Sequence, residues 1–376
     1  MIPFNNPTAR GRELALLEQV LASKHLRGDG KFTAACSELL RIRCAAHSAH
    51  LVHSGTAALE MAALLANVGP GDEVIMPSFT FVSTANAFVL RGATPVFVDV
   101  RNDTWNLDES LVEDAITPRT KAIVAVHYAG VPCDMLALKE IADRHGLILI
   151  EDAAQALGSH YNGQPAGAIG HLGALSFHET KNVISGEGGA LIIGEASLTD
   201  RAEIIREKGT NRSAFFRGFV DKYTWIDVGS SYLPSELIAA FLLPQLQDID
   251  AITEDRVRSW QRYHEAFALL ENQSLVQRPH IPVDCQHNGH MYYLILPSLE
   301  ARTDLIMRLK ELEVHTVFHY IPLHSAPAGL RYGRTAGTMT NTDRAGDCLL
   351  RLPLWVGMGS QVDRVAETVT SVLCGS

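Results

Sequence analysis

Short apolar runs alternate with amphipathic stretches from about residue 50 to residue 193. The apolar runs predict buried strands at Glu73–Met76, Pro95–Val100, Lys121–His127, Leu147–Ile150, Leu175–Phe177 and Ala190–Ile193. The stretches with helical periodicity predict helices at Thr56–Ala66, Ser83–Arg91 and Met135–His145. This alternation is typical of a mostly parallel sheet with helices on both faces. In such sheets ligands bind beyond the carboxyl ends of the strands.

The pattern changes near residue 250. A long charged helix is predicted at Asp248–Ala268, and predicted strands at Met291–Leu296 and Thr316–Tyr320 flank a helix at Thr303–Glu313. A last helix is predicted at Gln361–Leu373. Because 376 residues exceed what one compact core usually holds, we expect two domains. The large one, with an N-terminal helical segment, covers residues 1–250, and a small α/β domain covers residues 251–376.

The charge of the chain argues against nucleic acid as a partner. Its formal net charge is −10, so a phosphate backbone gains no bulk attraction to it. The six cysteines are scattered without a C-x-x-C pair or zinc-type spacing, which predicts reduced thiols and no metal site. There is no apolar run of about 20 residues and no signal-peptide pattern. We therefore expect a cytoplasmic protein without a membrane partner.

Four short motifs follow one another in the first domain: Ser54–Leu59, Glu151–Gln155, Ser176–Asn182 and Gly186–Gly189. Each has an ordinary structural explanation when taken alone, such as a helix cap, a surface lysine or a tight turn. Together they supply what pyridoxal phosphate requires. The helix start at Gly55 and Thr56 offers free N–H groups to a phosphate. Asp152, at a strand end, supplies a carboxylate, and Lys181 supplies an amine.

A basic segment follows these motifs. Cations recur there at Arg206, Lys208, Arg212, Arg217 and Lys222, and the aromatic residues Phe215, Phe216, Tyr223 and Trp225 lie between them. Such a segment suits the diphosphate and base of a nucleotide. The alternative is a solvated charged surface.

The motifs resemble those of the DegT/DnrJ/EryC1/StrS sugar aminotransferases, over essentially the whole chain. Long segments that carry the resemblance are Gly71–Phe88, Arg206–Ser213 and Phe215–Gly218. The resemblance implies an α/β fold of the fold-type I, aspartate-aminotransferase-like class of pyridoxal-phosphate enzymes, with a mostly parallel sheet of the seven-stranded type and a smaller C-terminal α/β domain. It also implies a homodimer or a higher homo-oligomer.

The family pattern assigns roles by position. Lys181 is the Schiff-base lysine, and Asp152 keeps the pyridine nitrogen of the cofactor protonated. The other expected cofactor-binding residues are Gly55, Thr56, Phe81, Gln155, Ser176 and Ser231. Ser231 stands where many members have an asparagine that reaches the cofactor of the neighbouring subunit, which leaves its role open. The expected substrate-binding residues are Arg212, Arg217, Lys222, Tyr223, His319, Tyr320 and His324.

The implied reaction transfers an amino group from L-glutamate to C4 of a nucleotide-linked keto-sugar. The subgroup with the strongest resemblance converts dTDP-4-keto-6-deoxyglucose to dTDP-4-amino-4,6-dideoxygalactose, for a glycan of the enterobacterial common antigen type.

Three alternatives to this reaction stay open. One is amination of another nucleotide sugar, at C3 or with the epimeric C4 amine. Another is a dehydratase, which the lysine at position 181 disfavours because such relatives have histidine there. The third is a non-catalytic protein that binds cofactor or nucleotide sugar.

Overall fold

The predicted alternation of helices and strands is present in the computed structural model, which describes residues 1–375. The helices are α1 (Glu13–Ser23), α2 (Lys31–Arg43), α3 (Gly55–Leu65), α4 (Val82–Val89), α5 (Val112–Ala115), α6 (Met135–His145), α7 (Thr199–Arg206), α8 (Arg212–Phe216), α9 (Glu236–Gln247), α10 (Ile249–Ala266), α11 (Ala268–Asn272), α12 (Leu299–Glu311), α13 (Pro327–Tyr332), α14 (Thr340–Cys348) and α15 (Gln361–Cys374). The strands are β1 (Ser48–Val52), β2 (Glu73–Pro77), β3 (Thr94–Val98), β4 (Thr120–Val126), β5 (Ile148–Asp152), β6 (His160–Tyr161), β7 (Gln164–Pro165), β8 (Leu172–Ser176), β9 (Gly189–Ile193), β10 (Cys285–Gln286), β11 (Tyr292–Ile295), β12 (Arg334–Thr335) and β13 (Leu349–Leu352).

A mostly parallel sheet forms the centre of the large unit. Its eight strands lie in the order β1-β9-β8-β5-β4-β2-β3-β12, which is seven full strands and the two-residue edge strand β12. Only β9 runs against its neighbours, because it pairs antiparallel with both β1 and β8. Every residue of β2 and β9 is buried, as expected for strands covered by helices on both faces. The strand ends of β4, β5 and β8 therefore meet at one edge.

The C-terminal part has a core of its own. Strands β11 and β13 pair antiparallel, and helices α10, α12 and α15 pack together beside them. Ile2 belongs to this core, since it is 1% exposed and exchanges backbone hydrogen bonds with Glu313 and His315. Strands β10 and β12 return to the large unit and pair with β6 and β3. The two-domain division at residue 250 stays a prediction.

The predicted strand Thr316–Tyr320 is wrong. Only Val317 makes a bridge, to Arg351 of β13, and the rest of the segment is irregular. His319 and Tyr320 line a cavity instead, and Pro322 has no N–H with which to extend a ladder. The predicted helix at Thr303 begins earlier, at Leu299, because Ser298 caps it by accepting a hydrogen bond from the Ala301 N–H.

None of the helices within residues 1–375 has the length and apolar character that crossing a membrane requires.

Glu73 joins the amino ends of neighbouring strands. It begins β2 and its side chain is 2% exposed. The carboxylate accepts hydrogen bonds from Arg334 of β12 at 2.8 and 3.1 Å, from Arg119, and from the Thr117 hydroxyl at 2.8 Å. The hydrogen bonds from Arg334 are the main cause that lowers the pKa of Glu73 to about 2.

Glu73→Gln is expected to lower the free energy of unfolding by about 1.5–3 kcal/mol at pH 7, because the buried network loses its negative charge and one of its two acceptor oxygens. A lowered carboxyl pKa stabilises the fold above the unfolded pKa, and this contribution disappears as the pH falls through the folded pKa. The difference between the two proteins in urea unfolding should therefore be constant above about pH 5 and shrink towards pH 2. Glu113→Gln is the control, since Glu113 pairs with Arg144 at an exposed site and should change little. A pH-independent difference would contradict this account.

Candidate active site

A cavity of about 620 Å³ opens at the carboxyl edge of the sheet. Most of the residues expected to bind the cofactor line it, together with two of those expected to bind substrate. These lining residues are Gly55, Thr56, Phe81, Asp152, Gln155, Ser176, Lys181, His319 and Tyr320. Sequence motifs far apart in the chain are thus brought to one place by the parallel strands.

The amino end of α3 forms one end of the cavity. Ser54 caps this 11-residue helix by accepting a hydrogen bond from the Ala57 N–H at 3.1 Å. Gly55 follows, and a Cβ there would lie 2.9 Å from the Cβ of Ser176, so only glycine allows this approach. A Cβ at Gly189 would likewise lie 2.4 Å from the Ser54 carbonyl carbon. Free N–H groups and the helix dipole make this end suitable for a phosphate.

Asp152 is held rigidly at the end of β5. The residue is 6% exposed, and its Oδ2 accepts a hydrogen bond from the Thr84 hydroxyl at 2.7 Å. The Thr80 hydroxyl lies 2.8 Å from that of Thr84, and the Ala154 N–H donates to Oδ1 at 3.2 Å. Sequence reasoning did not assign Thr80 and Thr84 to the site. Thr80 precedes α4 and Thr84 lies in its first turn, and this spacing of four residues is the signal that could have found them.

Lys181 lies in the loop between β8 and β9. Burial lowers the pKa of its amine to about 8, although the attraction of the Asp152 carboxylate opposes this shift. Asn182 anchors the loop, since its amide nitrogen donates to the Asn288 carbonyl at 2.9 Å and its Oδ1 lies 3.0 Å from Nδ1 of His290. His290 lines the cavity and was not predicted from the sequence.

An aromatic wall comes from the segment that was predicted to be a strand. The Gln155 amide donates to the Tyr320 hydroxyl at 2.9 Å, and the His319 ring stacks on Tyr320 with centroids 3.5 Å apart. Nδ1 of His319 lies 2.7 Å from the Tyr128 hydroxyl. Burial holds the pKa of His319 well below its usual range, so the imidazole is neutral. Phe81 lies beside this wall and is 56% exposed.

The remaining predicted residues lie outside the cavity of their own chain. Arg212 pairs with Glu207 at 3.0 Å, and Arg217 pairs with Glu203 at 2.5 Å. His324 is hydrogen-bonded to Ser78 through Nδ1 at 2.8 Å. The others, Lys222, Tyr223 and Ser231, are exposed. The assigned roles of all six stay predictions.

Two further residues that line the cavity were not predicted from the sequence. Arg351 enters it from β13, and the ring of Phe4 lies 4.7 Å from the Arg351 guanidinium carbon. Neither residue was assigned a role from the sequence, and β13 was not predicted. No group of three His, Cys, Asp or Glu side chains within residues 1–375 could hold a metal ion.

The residues fit pyridoxal phosphate. A helix end with two close-packed glycines suits its phosphate, the braced Asp152 carboxylate suits its pyridinium nitrogen, and a buried amine at Lys181 suits its aldehyde. With a mostly parallel sheet behind them, these groups define a pyridoxal-phosphate-dependent transferase of fold type I.

Residues 7–370 match the DegT/DnrJ/EryC1/StrS aminotransferase family, and the chain belongs to this family. It is 34% identical over 384 residues to the spore coat polysaccharide biosynthesis protein SpsC of Bacillus subtilis (strain 168), with 100% of this chain and 98% of SpsC covered.

Solved structures that are similar to this chain have the same fold and are named as aminotransferases. The aminotransferase TlmJ from Streptoalloteichus hindustanus is 30% identical with a TM-score of 0.90, and 100% of this chain and 99% of that chain are covered. The putative sugar aminotransferase Spr1654 from Streptococcus pneumoniae is similar in its PMP form, at 26% identity and a TM-score of 0.91, with 100% of both chains covered. Its PLP form is 27% identical with a TM-score of 0.90, and 100% of this chain and 99% of that chain are covered.

The pKa of Lys181 predicts how cofactor uptake depends on pH. The neutral amine is the nucleophile, so the rate at which cofactor-free protein takes up pyridoxal phosphate should rise with a midpoint near pH 8. Asp152→Asn removes the attraction that holds the proton on Lys181 and should move this midpoint to lower pH. Stopped-flow absorbance measures the rate, and Lys181→Ala is the control without covalent uptake. A midpoint near pH 10, typical of a solvated lysine, would refute the proposed environment of Lys181.

Proposed function

We propose that this aminotransferase moves an amino group from L-glutamate to C4 of dTDP-4-keto-6-deoxyglucose and forms dTDP-4-amino-4,6-dideoxygalactose. The observation that carries the proposal is that Lys181 and Asp152 line one cavity and interact electrostatically there. A sugar as acceptor is supported by the names of two relatives, a spore coat polysaccharide biosynthesis protein and a putative sugar aminotransferase. The particular sugar and its nucleotide rest on the sequence segments quoted above.

Four of the lining residues have a task in this reaction. When bound, pyridoxal phosphate would supply an electron sink in its ring and a carbonyl carbon that can carry the amino group. Lys181 accepts a proton and returns it, which an amine with a pKa near 8 can do at neutral pH. Asp152, braced by Thr84, holds positive charge at the pyridine nitrogen. The hydrogen bond from Gln155 to Tyr320 fixes the aromatic wall beside the substrate.

A second copy of the chain completes the site in this proposal. Phe81 lines the cavity yet is 56% exposed, so a partner surface has room to cover it. The basic segment with Arg212, Arg217, Lys222 and Tyr223 lies outside the cavity of its own chain, as does Ser231. In a homodimer these residues reach the neighbouring site and bind the diphosphate and base. The free cysteines within residues 1–375 fit a reducing cytoplasm.

The test is an end-point assay of cofactor-loaded protein with L-glutamate and dTDP-4-keto-6-deoxyglucose, in which NMR identifies the product. An axial amine at C4 is the expected result. Lys181→Ala should lower the rate by at least about 10²-fold because the proton carrier is lost. An equatorial amine would contradict the assigned sugar, and absence of any amino sugar while glutamate still converts the cofactor would contradict the acceptor.

A further inference from the structure

The guanidinium of Arg351 is a half-buried cation that has no counter-ion within residues 1–375. Arg351 lines the cavity, and its Nε is buried without a hydrogen-bond partner. Its side chain forms no ion pair with any of the residues 1–375. By contrast, the fully buried Arg256 donates to the carbonyls of Gly289 and His290 at 3.1 and 2.6 Å. A charge that is partly removed from water is costly unless it is paired, and no residue within 1–375 forms an ion pair with Arg351. A bound anion is therefore the expected partner of its guanidinium.

The N-terminal segment holds this cation in place. Ile2 is anchored in the C-terminal core, and this brings the ring of Phe4 to 4.7 Å from the guanidinium carbon. A ring over the face of a guanidinium leaves the N–H groups along its edge free. Those groups match the two oxygens of a carboxylate. Burial also lowers the pKa of Arg351, and the opposing contributions come from Tyr128 and Tyr320 and from no carboxylate within residues 1–375.

Arg351 lines the same cavity as Lys181 and His319. Its positive charge contributes to the lowered pKa of both groups. In an amino acid, the α-carboxylate is one bond from the carbon that carries the amino group. In a nucleotide sugar, by contrast, the diphosphate is attached to C1, across the ring from C4. Apart from the cofactor, whose phosphate fits the amino end of α3, the anion expected near Lys181 therefore belongs to the amino acid.

We propose that Arg351, positioned by Phe4, binds a carboxylate of the amino donor. This inference rests on the proposed function for the identity of the donor, an anionic amino acid. Because stacking, and not a permanent ion pair, holds the guanidinium, the same cavity can take the charged donor in one half of the reaction and an uncharged sugar ring in the other.

The test measures binding without turnover. Glutarate has the two carboxylates of glutamate but no amino group, and its binding to protein loaded with pyridoxal phosphate is measured by calorimetry. Arg351→Gln should weaken glutarate binding about 10- to 100-fold, as expected when a buried bond to a charged group is lost. Arg351→Lys should recover part of this loss. The KM for glutamate should rise in parallel, and the KM for the keto-sugar should change much less.

Arg302→Gln is a matched control. The Nε of Arg302 is also buried without a partner, and its guanidinium lies 5.3 Å from the ring of Phe318, but Arg302 does not line the cavity. This variant should bind glutarate within about 2-fold of the wild type. An equal loss in both variants would overturn the proposal, because it would reflect a general loss of packing.

Two other results would also overturn it. One is wild-type glutarate affinity in Arg351→Gln. The other is weakened binding of dTDP in Arg351→Gln with glutarate unaffected, which would assign Arg351 to a phosphate. Failure of the proposed function has a different signature. Wild-type protein that forms no amino sugar, but binds glutarate in an Arg351-dependent way, would refute the acceptor and support the carboxylate site.

Discussion

The site depends on a lysine amine that is held out of bulk water beside a fixed carboxylate. Burial alone would lower the pKa of Lys181 further than about 8, and the Asp152 carboxylate limits this shift. The amine is thus neutral often enough to act as a nucleophile and charged often enough to return a proton. Both functions require that Asp152 stays in one position, and much of the large unit serves this purpose.

Strand β5 fixes Asp152 from two sides. Neighbouring residues of a strand point to opposite faces, so Glu151 lies behind the sheet when Asp152 faces the cavity. Glu151 accepts hydrogen bonds from the Gly167 and Gly170 N–H groups, both at 2.7 Å, and its Oε2 lies 2.8 Å from Nε2 of His127. On the front, Thr84 donates to Asp152. The two consecutive acids at the end of β5 therefore have different roles: Glu151 stabilises the strand, and Asp152 faces the cavity.

The C-terminal part supplies much of the cavity wall. Arg256 of α10 binds the carbonyls of Gly289 and His290, and so it fixes the segment that anchors the Lys181 loop through Asn182. Arg351 of β13 brings a cation to the same cavity. A mostly apolar cavity therefore contains the side chains of Lys181, Arg351 and Asp152, and separate elements of the fold set their positions. The distances between these charges influence the pKa of each group.

The sequence predicted the part of this site that is local in the chain. Asp152 and Lys181 stand beside predicted strands, and Gly55 stands at a predicted helix start, so the rule for parallel sheets was enough to bring them together. Arg351 and His290 could not be found in this way, because only tertiary packing places them at the cavity. For Arg212 and Arg217 the sequence predicted a role in substrate binding but not their ion pairs with Glu207 and Glu203. Those pairs form only when the chain is folded. The wrong strand at Thr316–Tyr320 has a similar cause: its apolar and aromatic pattern serves a binding wall and not a ladder.

The most direct test of the role of Lys181 is to mark the lysine that bonds to the cofactor. Protein loaded with pyridoxal phosphate is treated with borohydride, which reduces the carbon–nitrogen bond and makes it permanent, and peptide mass spectrometry then locates the modified residue. The account predicts one phosphopyridoxyl group, on the peptide that contains Lys181. Modification of a different lysine, with Lys181 unmodified, would contradict it.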